Sequence, residues 1–83
     1  MARQTTARDR GFRREFGAML RERRMSLNLS QEELASSVNL TQATISNYEN
    51  GRSEMPVSIL VSVCERLQFR PEELLSIFRP TPY

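Results

Sequence analysis

At 83 residues the chain has room for one domain with a small core. It has one cysteine, Cys64, and no histidine, so no internal disulfide can form and no zinc ligand set is visible. The formal net charge of +2 is modest, but residues 1–30 carry a net +5 and residues 31–83 a net −3. All twelve basic residues are arginine, the side chain best shaped for bidentate phosphate contact, although codon bias would produce the same count. No stretch is apolar enough over sufficient length to cross a membrane, and the N-terminus lacks the apolar run of a secretory signal. A cytoplasmic location is expected.

Residues 1–11 are polar and show no apolar periodicity, which reads as a flexible Arg-rich arm. A helix is predicted over 12–27, with Phe12, Phe16, Met19, Leu20 and Leu27 as its apolar stripe. Arg24 falls among those apolar positions, whereas Arg13, Arg14, Arg21 and Arg23 mostly face elsewhere. Asn28 and Leu29 turn the chain. Ser30 and Glu33 then form an S-x-x-E capping box, so a second helix starts at Gln31 with Leu34, Ala35 and Val38 on its apolar side.

At 38–41 the chain must turn sharply. Asn39 suits a positive φ, and Thr41 can cap a third helix. That helix is predicted over 41–50, closed by Asn50-Gly51. Ile45 and Tyr48 face the core. Ala43, Asn47 and Asn50 share the opposite side, flanked by Gln42, Thr44 and Ser46, and no acid is among them. Amides can bond adenine in a bidentate way, and Ala or Thr can touch a thymine methyl, although an isolated helix could carry such a face merely as solvated surface. Two short helices joined this way describe a helix-turn-helix.

Arg52 opens a loop over 52–55. Pro56 opens a fourth helix, with Val57, Leu60, Val61, Cys64 and Leu67 as the buried stripe and Cys64 as a small core residue. After a link at 68–70, Pro71 opens a fifth helix with Glu72 and Glu73 in its first turn. The apolar Leu74, Ile77 and Phe78 exceed what so short a helix needs for its own core and are expected at an interface with a second chain. The domain is expected to span 12–78, with 79–83 an extended C-terminal tail.

The stretches Leu29-Ser30-Gln31-Glu32-Glu33-Leu34-Ala35, Thr41-Gln42-Ala43-Thr44-Ile45-Ser46 and Tyr48-Glu49-Asn50-Gly51-Arg52 resemble the signature of the XRE/Cro, lambda-repressor-like family of bacterial and phage regulators. The resemblance covers about 16–75. It implies an all-α, five-helix DNA-binding domain that binds double-stranded operator DNA, usually as a homodimer on a palindrome. On a DNA-binding reading, Gln42, Ala43, Thr44 and Asn47, from the polar side of the third helix, would read bases. By the same resemblance, Gln31, Asn50 and Arg52 would meet phosphate, the last two also because they end and follow the recognition helix. Arg24 would form an ion pair with Glu49. Where the family often has Gly, this chain has Asn28, Asn39 and Gln68.

The chain offers no nucleophile–base pair, no Gly-rich phosphate loop and no metal cluster, so no enzyme activity, cofactor or small-molecule ligand is expected. The competing function is a protein-interaction adaptor or antitoxin on the same fold. The polar, acid-free face of the third helix favours DNA over that alternative.

Overall fold

The computed structural model describes residues 4–75. Five helices follow one another: α1 (Ala7–Ser26), α2 (Gln31–Ser37), α3 (Gln42–Glu49), α4 (Val57–Arg66) and α5 (Pro71–Leu74). No strand occurs among the described residues. None of the helices is long and apolar enough to cross a membrane.

α1 starts earlier than the sequence suggests. The Thr6 hydroxyl accepts from the Asp9 N–H at 3.1 Å, and the Asp9 carboxylate accepts from the Thr6 N–H at 3.0 Å. This capping box satisfies two end groups at once and lets the helix begin at Ala7. Residues 7–11 of the expected arm are therefore helical. Apolar periodicity begins only at Phe12, so it could not reveal a first turn that hydrogen bonding holds.

The same termination is used four times. Asn28, Asn39, Gly51 and Gln68 have φ of 58, 62, 69 and 61°, each directly after a helix C-cap. The next residue's N–H then reaches back over the last turn: Leu29 to Arg24 O at 3.1 Å, Leu40 to Ala35 O at 2.8 Å, Arg52 to Asn47 O at 2.9 Å and Phe69 to Cys64 O at 2.9 Å. These are Schellman endings, which occupy carbonyls left free by the helix. Leu29, Leu40 and Phe69 pack against the core, so three of the four turns are also anchored by an apolar side chain. Asn tolerates the left-handed region well. Gln does not, and Gln68 costs about 1 kcal/mol or more at this position.

Leu20, Leu34, Ala35, Ile45, Tyr48, Val63 and Leu67 form the buried core. Gly17 is what lets α1 approach α3. A Cβ there would lie 2.6 Å from the Glu49 carbonyl oxygen and closer still to that of Tyr48. The two helices thus touch backbone to backbone.

α4 corrects the expected stripe. Val57 and Val61 are 74% and 50% exposed, Leu60 and Cys64 are half-buried, and only Leu67 of the predicted set is fully buried. Val63 is buried instead, and Ile59 packs against the core. The segment Val-Ser-Ile-Leu-Val-Ser-Val-Cys is apolar on more than one side, so periodicity permits two faces and packing selects one. Desolvation pushes the Cys64 thiol pKa up, which keeps it neutral. Pro56 stands just before α4 as its N-cap rather than inside it.

Arg23, off the apolar stripe predicted for this helix, ties α1 to the last two helices. Its Nη1 donates to the carbonyls of Leu67 at 3.1 Å and Gln68 at 3.0 Å, where a cation suits the C-terminal end of α4. Its guanidinium stacks over Phe69 at 4.5 Å and pairs with Glu73 of α5. Leu74 is half-buried and Leu75 is 62% exposed. Ile77, Phe78 and the expected tail at 79–83 lie outside the described residues.

Candidate nucleic-acid interface

The α2–turn–α3 unit is capped at both starts. Ser30 and Glu33 exchange hydrogen bonds at 2.8 and 3.0 Å, and the Thr41 hydroxyl accepts from the Thr44 N–H at 3.2 Å. The Ser30 backbone N–H, and then its hydroxyl, hold the Glu33 carboxyl below its ordinary pKa. Ile45 and Tyr48 are buried, which turns the other side of α3 outward. On that side Gln42 and Ala43 are exposed, and Thr44 and Asn47 are half-buried. The Thr44 hydroxyl lies 2.8 Å from that of Thr41, so the cap occupies it.

Beneath this surface sits one buried carboxylate. Arg24 Nε donates to Glu49 Oε2 at 2.6 Å, and Arg24 Nη2 donates to Glu49 Oε1 at 3.1 Å. The two side chains are 11% and 2% exposed. Such a bidentate, charge-assisted pair is strong, and a buried one fails badly when a single partner is lost. Arg24 Nη1 also donates to the Leu29 carbonyl at 2.8 Å, so one guanidinium holds both the α1–α2 turn and the end of α3.

Gln31 joins this network. Its Nε2 donates to Glu49 Oε1 at 2.9 Å, which fixes its amide orientation and leaves Oε1 to accept from Gln42 Nε2. The residue expected on phosphate is thereby tied to a residue expected on bases. Gln42 keeps its carbonyl and a second N–H, the pair of groups a bidentate adenine contact requires. Sequence reading pairs Arg24 with Glu49 but assigns Gln31 to phosphate and Gln42 to bases, apart from that pair. Nothing in their spacing shows that they form one chain of hydrogen bonds.

Asn50 is the C-cap of α3. Its Nδ2 donates to the Ser46 carbonyl at 2.8 Å, so the side chain folds over the helix end. Arg52 is exposed, and no carboxylate among the described residues pairs with it. No group of His, Cys, Asp or Glu among the described residues could hold a metal ion.

A short helix turned outward by two buried side chains, with amides on its free face, completes a helix-turn-helix. The family model described as helix-turn-helix matches residues 20–74, and the chain belongs to that lambda-repressor-like family. Its structure is similar to the restriction-modification controller protein C.AhdI from Aeromonas hydrophila, with 29% identity, a TM-score of 0.72, and coverage of 78% of this chain and 94% of that one. It is also similar to the clp gene regulator ClgR from Corynebacterium glutamicum. One ClgR structure matches at 30% identity and TM-score 0.73, over 80% of this chain and 70% of that one. A second matches at 27% and 0.74, over 93% and 92%. No curated protein matches the chain. The fold is all-α, and the protein is a DNA-binding transcriptional regulator of the helix-turn-helix type.

Proposed function

We propose that the protein binds a palindromic operator as a homodimer, with α3 in the major groove of each half-site. The observation that carries this is the Arg24–Glu49–Gln31–Gln42 network, which holds the outward amide face of α3 from behind. A reading head must be rigid, because ordering it on contact would subtract from affinity. Gln42, Ala43, Thr44 and Asn47 supply base contacts. Gln31, Arg52, Asn50 and the N-terminal end of α2 supply phosphate contacts that set the register. Neither contact calls for a cofactor or catalysis, and the protein acts by occupying DNA in the cytoplasm.

The dimer is inferred from the surface left over. Val57 and Val61 lie four residues apart on α4, and Leu75 comes directly after α5; all three are exposed. A second copy seated on these residues and on the half-buried Leu74 would cover them. Two recognition helices would then stand about 34–36 Å apart on one face of the duplex.

Affinity selection of random duplex DNA, with the bound pool sequenced, tests this reading. The expected result is a palindrome with half-sites about one helical turn apart. An unenriched pool would favour the adaptor function. On the selected operator, Asn47→Ala should weaken binding by about 1–3 kcal/mol and relax specificity at one base pair. Equal losses on operator and random DNA would remove Asn47 from base reading.

A further inference from the structure

Positions 14, 17, 21 and 24 fall on one face of α1. Two of them meet α3: Gly17 lies against the Tyr48 and Glu49 carbonyls, and Arg24 pairs with Glu49. Arg14 continues that line past the end of α3. A Cβ placed on Gly51 would lie 2.8 Å from the N, Cα and Cγ of Arg14. The stem of Arg14 therefore runs directly over Gly51, between Asn50 and Arg52. Gly51 itself is required twice, by its φ of 69° and by this contact.

Arg14 is an exposed residue, and no acid among the described residues pairs with it. Arg52, on the same turn, is in the same condition. Glu54, the acid of this loop, instead lines a groove with Arg13, Phe12 and Phe16. Two unpaired cations thus meet one turn at the end of the reading head, which itself carries no charge on its outward side. A charge-assisted contact to an anion would serve both, and duplex DNA presents phosphates at regular spacing beside the groove.

We propose that Arg14 is a phosphate-contacting residue, which with Arg52 grips the DNA backbone at the C-terminal end of α3. The proposal rests on the DNA-reading function above and extends the interface onto α1.

Binding of the full chain to the selected operator and to a random duplex, measured against salt, tests it. Arg14→Gln keeps the stem over Gly51 and removes only the charge. It should lower the slope of log K against log salt by about one unit and weaken both duplexes by a similar factor. Its melting temperature should match wild type, and Arg14→Lys should restore the slope. A wild-type slope for Arg14→Gln would overturn the proposal, and a lowered melting temperature with that slope would mark Arg14 as a packing residue. A wild-type chain that binds no duplex at any salt would overturn the DNA-reading function itself. A wild type that binds, with an unmoved slope for the variant, sinks the Arg14 assignment alone.

Discussion

The α2–α3 region and the α4–α5 region of this protein are finished to different degrees. α2 and α3 each have a side-chain N-cap, Leu34, Ala35, Ile45 and Tyr48 are inside, and the carboxylate beneath them is fully paired. α4 has no side-chain cap, and it exposes Val57 and Val61, with Leu75 beyond α5. The first region has its caps, its core side chains and its buried charge satisfied within the chain. The second keeps apolar surface that burial against another surface would stabilise. The same core serves both, through Leu20 and Ile45 on one side and Val63 and Leu67 on the other.

Breaking the finished half should have the largest effect. Glu49→Ala leaves Arg24 buried without its counter-charge and Gln31 without its acceptor. It should cost about 3–5 kcal/mol in chemical denaturation. A loss below about 1 kcal/mol would show that the network does not hold α3 in place. Gly17→Ala should come next at roughly 2 kcal/mol, because the gain in helix propensity is smaller than the cost of separating two backbones in contact. Thermal melts decide it; a variant as stable as wild type would mean that α1 can shift without penalty.

The unfinished half predicts the opposite pattern. Val61→Glu should change monomer stability by no more than about 0.5 kcal/mol, since the side chain is already half in water. Sedimentation should nevertheless show the dimer lost and operator affinity falling with it. A destabilised monomer would place Val61 in the intramolecular core after all.

The smallest expected effect sharpens the contrast in capping. Because the folded pKa of Glu33 is lowered, its contribution to stability is present above the unfolded carboxyl pKa. It fades as pH falls through the folded value. Glu33→Gln should therefore lower stability slightly at neutral pH and leave the acid end nearly unchanged, flattening the acid side of the curve, as melting curves between neutral and acid pH would show. A variant with the wild-type acid limb would assign that limb to other carboxylates.

Much of the fold could be read residue by residue. Ser30-x-x-Glu33, Thr41 and Asn50-Gly51 announce helix ends through local hydrogen bonding, and the ends fall where they stand. Ile45 and Tyr48 lie inside because three-residue spacing on so polar a helix leaves only one apolar side. The start of α1 escaped because Thr6 and Asp9 act through backbone N–H groups and carry no periodic signal. The α4 face was misjudged because Val57, Leu60 and Val61 are as apolar as Ile59 and Val63.

The site was legible as residue types and not as an arrangement. Gln42, Ala43 and Asn47 could be placed outward from the wheel alone, and the pairing of Arg24 with Glu49 came from family likeness. The link from Glu49 through Gln31 to Gln42 joins residues 18 and 11 positions apart, and no local rule connects them.

Local chemistry therefore determined which segments are helical, where they stop and which side of α3 is polar. These depend on neighbours within one or two turns, where hydrogen-bond geometry and side-chain spacing act directly. Tertiary structure alone decided that Gly17 would be the crossing point of two backbones, that Arg23 would close the end of α4 and that Arg14 would lie over Gly51. Each of these depends on where a second helix passes, and that is set by the packing of the whole core.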